Sequence, residues 1–183
     1  MSEQKYPLTQ EQKKTKPKFE DIAGDFLEGN VLKNALDFAA FLRENKISLV
    51  WRATNSWNAD YKGERVCSFH IPYEPYASFA GIGSWVLRPA GWYGGEYENF
   101  IISDKHKEII WASVKQCSAC DGRYVGKKRP CNFAKGNDIM IFGKKFESVC
   151  GYLLIENPSG EVLDFAKKWV EAKIQTILTY TIQ

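Results

Sequence analysis

The sequence predicts an α+β protein, in which a mostly antiparallel sheet packs against about three helices and a cysteine-rich loop, residues 115–137, is inserted. Apolar residues recur at helical spacing in some stretches, whereas other stretches alternate with a period of two between short turns. Four of the five cysteines lie between residues 117 and 150. A chain of 183 residues suits one domain with a sizeable core.

Residues 1–20 are predicted to form a flexible basic tail, and residues 21–183 a single domain. The tail has almost no aliphatic side chains, so it buries too little apolar surface to offset the entropy lost on ordering. Its basic residues are Lys5, Lys13, Lys14, Lys16 and Lys18.

The first predicted helix runs from Val31 to about Glu44, and Asn30 is its predicted N-cap. Apolar side chains at helical spacing should bury one face of this helix. They are Leu32, Ala35, Leu36, Ala39 and Leu42.

Four strands are predicted next, because the apolar period changes to two. They cover residues 46–53, 56–61, 64–71 and 83–88. The second and third form a hairpin around Lys62-Gly63, where glycine adopts the positive φ that a two-residue turn needs.

Residues 99–115 have two interpretations. The first is a helix from Asp104 to about Lys115, with Ser103 as its N-cap and an acidic first turn. The second is a hairpin of residues 99–102 with 108–114, because isoleucine and tryptophan also suit strands.

Two buried strands and a final helix are predicted after the cysteine-rich loop. The strands cover residues 138–142 and 151–156. Asn157 caps the helix, Pro158 opens it, and it extends to about Ile177. Its buried stripe is Val162, Phe165, Trp169 and Ala172.

The cysteines predict one structural zinc ion, held by Cys117, Cys120, Cys131 and Cys150. A Cys-x-x-Cys pair on a turn offers two sulfurs to one ion, and two more thiolates complete a tetrahedral site that has no position for water. Neighbouring cations favour the thiolate form. The alternatives are a thiol redox motif and unligated cysteines.

Cys67 is predicted to be a small buried hydrophobe rather than a zinc ligand. Cys67 and His70 are three positions apart on a predicted strand. Since successive side chains alternate across a strand, these two residues should point to opposite faces of the sheet.

Aromatic residues concentrate in the first half of the sheet, where they suit either the core or a ligand pocket. The candidate ligand-binding residues are Trp51, Trp57, Tyr61, Trp85, Arg88, Trp92 and Tyr93. Asn55 and Asn58 are further polar candidates for orienting a small molecule. On the second strand, Trp57 and Tyr61 share one face, and Asn58 and Asp60 share the other.

The basic part of the cysteine-rich loop predicts an alternative function, nucleic-acid binding. Cations beside an aromatic ring suit phosphate contact and base stacking. The candidates are Arg123, Tyr124, Lys127, Lys128 and Arg129. A net charge of +3 is too small to imply such a partner by itself.

Other function classes have little support in the sequence. No apolar run approaches the ~20 residues that span a bilayer, and the N-terminus has no apolar signal region. An odd number of cysteines indicates reduced thiols, which predicts a cytoplasmic protein. No dinucleotide-binding fingerprint, P-loop or His-Glu-x-x-His motif is present, so we assign no catalytic residues.

The second half of the chain resembles a group of small cytosolic bacterial proteins, mostly from Gram-positive anaerobes, to which no activity is assigned. The resemblance covers about residues 100–177 and includes residues 111–120, residues 142–146, Val149-Cys150 and Asn157-Pro158. The expected function is a zinc-stabilised small-molecule-binding or regulatory domain without catalysis. Besides nucleic-acid binding, the alternative is a thiol redox or zinc enzyme.

Overall fold

A computed structural model describes residues 7–73, 81–90, 103–116 and 137–181. Helices and antiparallel strands in these ranges confirm the predicted α+β class. The first helices are α1 (Pro7–Thr15), α2 (Phe19–Ile22), a 3₁₀ turn (Ala23–Asp25) and α3 (Gly29–Glu44).

The helices before α3 correct the predicted tail. Between Pro7 and residue 20 the chain is ordered against the sheet, with Phe19 fully buried and Gln12 only 3% exposed. The tail prediction fails here because polar side chains anchor α1, and they give the sequence no apolar periodicity.

Helix α3 begins at Gly29 rather than after Asn30, and its N-cap residue, Glu28, makes no side-chain capping bond. The predicted N-cap at Asn30 is therefore wrong, because the observed N-cap lies two residues earlier. The predicted core face is largely confirmed, since Ala35, Ala39 and Leu42 are buried, together with Phe38.

A five-stranded antiparallel sheet follows, with strand order β1-β2-β3-β4-β8. Its strands are β1 (Ser48–Ala53), β2 (Ser56–Tyr61), β3 (Glu64–His70), β4 (Val86–Pro89) and β8 (Ile155–Glu156). The predicted hairpin is confirmed: Tyr61 pairs with Glu64, and Lys62 and Gly63 have φ values of 49° and 86°. Positive φ at both central residues is the geometry that matches the twist of the paired strands.

A second sheet has three strands, in the order β5-β7-β6. They are β5 (Val114–Gln116), β6 (Asn137–Ile141) and β7 (Lys144–Leu153). Phe142 and Gly143 connect β6 to β7 in a turn with φ values of 48° and 75°. This hairpin was not predicted from the sequence, and the predicted strand at 151–156 is divided between β7 and β8.

Helix α4 (Asp104–Ser113) confirms the helical interpretation of this segment. The Ser103 hydroxyl accepts a hydrogen bond from the His106 amide, as expected of an N-cap.

Helix α5 (Gly160–Thr181) confirms the last predicted helix, but not its cap. Asn157 instead accepts a bond from the Trp85 amide at 2.9 Å, which ties β8 to β4.

The core lies between one face of the five-stranded sheet and helices α3 and α5, and it continues onto the second sheet. Phe69 contacts Phe19, Phe38 and Trp85, with ring centroids 5.4–5.5 Å apart. Phe19 also meets Trp57 edge to face at 5.3 Å. Such ring pairs add to the stabilisation that burial alone provides.

Candidate ligand-binding face

The face of the sheet opposite the core carries a polar group of side chains on three adjacent strands. Asn58 on β2 pairs with Ser68 on β3, which pairs with Arg88 on β4. His70 lies two residues beyond Ser68, so it shares this face. We call Asn58, Ser68, His70 and Arg88 the polar face; all four side chains are half-buried.

Alternation along each strand separates the polar face from the core. The neighbours of its residues in sequence, Trp57, Phe69 and Leu87, are buried in the core. Directly opposed residues in antiparallel strands have Cβ atoms about 4.5–5.5 Å apart, so the amide, hydroxyl and guanidinium groups lie within reach of one small molecule.

His70 is the residue of the polar face with a strongly lowered pKa. Its pKa falls from 6.5 to about 4, first because of burial and second because of the positive charge of Arg88. The backbone carbonyl of Asn55 acts in the opposite direction, by hydrogen bonding. The imidazole is therefore neutral at pH 7, and it can donate one hydrogen bond and accept another.

Apolar side chains border the polar face. Val86 pairs with His70, and Val86 and Leu154 form a small buried cluster that is separate from the main core. Val50 pairs with Asn58 and is 49% exposed. Because Val86 and Leu154 are buried, a ligand on this face would meet the charged and polar groups and, at one side, Val50.

The predicted aromatic residues lie elsewhere. Trp57 and Trp85 are fully buried in the core, on the face opposite Arg88. Trp51 and Tyr61 are partly exposed and pack against that same core. The structure thus separates Arg88 from the aromatic candidates with which it was grouped; their ligand-binding role stays a prediction.

Trp92 and Tyr93 lie outside the ranges that the structure describes. So do three predicted zinc ligands, Cys117, Cys120 and Cys131. The basic loop residues are outside them as well: Arg123, Tyr124, Lys127, Lys128 and Arg129.

The backbone of Cys150 lies within β7. Within the described ranges, no three His, Cys, Asp or Glu side chains lie close enough together to hold one metal ion. The zinc prediction therefore stays a prediction.

Cys67 confirms its predicted place in the core, where it is 1% exposed and has no disulfide partner. Burial raises the pKa of its thiol well above the ordinary range. His70 lies on the opposite face of the sheet, as alternation predicted.

Ser68 and His70 were missing from the predicted ligand-binding set. The Lys62-Gly63 turn pairs Tyr61 with Glu64, a register that alone would place Cys67 opposite Asn58. A bulge between Ala59 and Asp60 shifts the register by one residue and places Ser68 there instead. Neither this bulge nor the register of β4, which places Arg88 opposite Ser68, has a local signal in the sequence.

Comparisons with known proteins found no family model, curated protein or solved structure that matches this chain. The resemblance to small cytosolic bacterial proteins therefore stays a prediction. In the described part of the chain, none of the helices combines the length and the apolar character needed to cross a bilayer.

Proposed function

We propose that this protein binds a small anionic molecule on the polar face without catalysing its conversion. The observation that carries the proposal is the group formed by Asn58, Ser68, His70 and Arg88 on three adjacent strands. Small-molecule sites use a few polar groups that converge from rigid elements, with apolar surface beside them.

The charge on this face favours a singly charged ligand. His70 is neutral at pH 7, so Arg88 supplies the positive charge among its four residues. A guanidinium presents parallel N–H groups that match the two oxygens of a carboxylate. The Ser68 hydroxyl and the Asn58 amide are further donors for the same group.

Val50 favours a ligand that also has a short apolar part. It pairs with Asn58 at the edge of the polar face and is 49% exposed, so its side chain can contact a bound molecule. Val86 and Leu154 are buried and offer a ligand no such surface. A small carboxylic acid with an aliphatic chain combines both properties.

Butyrate and its neutral amide test this proposal. We expect millimolar butyrate to shift the backbone amide resonances of Ser68, His70 and Arg88, whereas butyramide at the same concentration leaves them unchanged. Arg88→Gln should abolish the shifts. Arg43→Gln is the matched control and should preserve them, because it removes the same charge from α3, where Arg43 forms an ion pair with Glu20 of α2.

Equal shifts with butyrate and butyramide, or shifts that persist in Arg88→Gln, would contradict an anion site. If no ligand shifts these resonances, the polar face is not the binding site.

We further propose a structural zinc ion at the predicted cysteines, which is compatible with a cytoplasmic location. One observation on the described residues supports it: Gln116 and Asn137, which flank residues 117–136, both pair with Val149. The chain on each side of the cysteine-rich segment therefore lies beside the backbone of Cys150. This brings the ends of that segment to the fourth predicted ligand.

Elemental analysis tests the zinc proposal directly. We expect about one zinc per chain, released in each of Cys117→Ser and Cys150→Ser and retained in Cys67→Ser, since Cys67 lies in the core. Chelation should accelerate amide exchange in β5–β7 more than in β1–β4. A protein that is folded but contains no metal would contradict the zinc proposal.

A further inference from the structure

Helix α1 is held on the sheet by polar side chains. Leu8, the one apolar side chain between Leu8 and Thr15, neither belongs to the hydrophobic core nor packs against it. The Thr54 hydroxyl donates to the Thr9 hydroxyl at 2.9 Å, and Gln12 is almost completely buried. Docking of α1 therefore depends on a few hydrogen bonds between α1 and the β1–β2 turn.

The Gln12 amide supplies most of these bonds. Its Nε2 donates to the side-chain Oδ1 of Asn55 at 2.6 Å, and its Oε1 accepts from the backbone N–H of Asn55 at 2.8 Å. The Trp51 indole N–H also donates to Oε1, at 3.3 Å. One side-chain amide thus holds both the backbone and the side chain of Asn55.

Asn55 connects this contact to the polar face. Its carbonyl accepts from the Ile71 amide at 2.9 Å, directly after His70, and also hydrogen-bonds the His70 imidazole. Asn55 is fully buried and has a φ of 51°, in the left-handed region. Asparagine adopts this conformation more readily than most other residues, and the hydrogen bonds to Gln12 select it here.

We propose that α1 is a displaceable strap, and that its docking through Gln12 fixes Asn55 and thereby positions His70 on the polar face. Asn55 and Gln12 are then positioning residues for ligand binding, so this consequence rests on the proposed function. Displacement of α1 would let the Asn55 turn relax, which would disorder the end of β3 and weaken binding.

Two features of the docked arrangement favour a reversible contact. The buried Nδ2 of Asn55 has no hydrogen-bond partner in the described part of the chain, so docking leaves a donor unsatisfied. Water can replace the polar bonds of α1, whereas it cannot replace a buried apolar contact. An element with few apolar contacts opens at low free-energy cost compared with the whole domain.

Amide hydrogen exchange tests the coupling, and the Ile71 amide is its reporter because it donates to Asn55. In Gln12→Ala we expect exchange at Ile71 to be at least about tenfold faster. Exchange at Phe69, in the middle of the sheet, should be unchanged. Gln10→Ala, which replaces an exposed glutamine on the same helix, is the control and should match the wild type.

Gln12→Met keeps the length of the side chain but loses both hydrogen-bonding groups, so exchange at Ile71 should rise as much as in Gln12→Ala. Because methionine leaves no cavity, this variant guards against a misfolded alanine variant. Butyrate affinity should fall in both variants relative to the wild type.

Faster exchange within α1 without any change at Ile71 would overturn the strap. So would an equal effect of Gln10→Ala. If the wild type does not bind butyrate, the proposed ligand site fails, while the Ile71 result still decides the coupling between α1 and β3.

Discussion

His70 makes the stability of the fold depend on pH. Its pKa in the folded protein is about 4, below the ordinary 6.5. Between these values the unfolded chain binds a proton at His70 that the folded chain does not. Neutral His70 thus contributes up to about 3 kcal/mol to the free energy of unfolding. This contribution is fully present above pH 6.5 and is lost as the pH falls toward 4.

Urea unfolding of wild type and His70→Gln at pH 7 and near pH 4.5 measures this contribution. The variant should lose about 1–3 kcal/mol less stability than the wild type over this interval. Carboxylates titrate in both proteins, so their effect cancels in the comparison. His106→Gln replaces the more exposed histidine of α4 as a control; a larger effect there than at His70 would contradict the assignment.

Cys67 should be chemically silent in the folded protein. Its thiol is buried and its pKa is raised by burial and, to a smaller extent, by the charge of Asp60, so the reactive thiolate is scarce. With an aromatic disulfide reagent, Cys67→Ala should leave the fast-reacting thiols unchanged in number and remove one thiol from the count in denaturant. Loss of a fast-reacting thiol in this variant would contradict this, because it would show that β3 opens and exposes Cys67 in the folded protein.

At the scale of single elements, Ser103 is a helix cap that can be tested without touching the core. Its hydroxyl accepts from the His106 amide at 3.3 Å, at the exposed start of α4. Ser103→Ala should lower the free energy of unfolding by about 0.5–2 kcal/mol, and Ser103→Asp should preserve it. Thermal and urea unfolding measure both; equal losses in the two variants would argue against capping.

The elements that the sequence predicted are those with local signals. The Lys62-Gly63 turn fixes its hairpin, and Ser103 followed by an acidic turn marks the start of α4. Helix α1 has no apolar stripe, and its partners, Thr54 and Asn55, are distant in sequence. Asn157 has the right residue type for a cap, but its side-chain Oδ1 accepts a hydrogen bond from the Trp85 backbone N–H instead.

The binding face could be predicted only in part, because it depends on register between distant strands. Alternation alone separates Asn58 from Trp57 within β2. That Arg88 lies opposite Ser68, rather than among the aromatic residues, follows from the pairing of β4 with β3. No residue next to Arg88 in sequence specifies that pairing; the packing of Phe69, Trp85 and Leu87 into one core does.

For the whole molecule, Phe19 should make the N-terminal segment essential to stability. Its ring is fully buried and contacts both Trp57 and Phe69, so it joins α2 to the middle of the sheet. Phe19→Ala should lower the free energy of unfolding by about 3–5 kcal/mol, through lost burial and the cavity left behind. A flexible tail at residues 1–20 would instead tolerate this substitution.

Phe19→Leu is the matched control, because it keeps an apolar side chain in the same space and should cost about 1.5 kcal/mol or less. Deletion of residues 1–20 should destabilise the domain at least as much as Phe19→Ala, because it removes this ring and also the α1 contacts to Asn55. Urea unfolding monitored by tryptophan fluorescence measures all three proteins. If the deletion matches the wild type, the sheet and the later helices are sufficient, and the N-terminal helices contribute neither stability nor a strap.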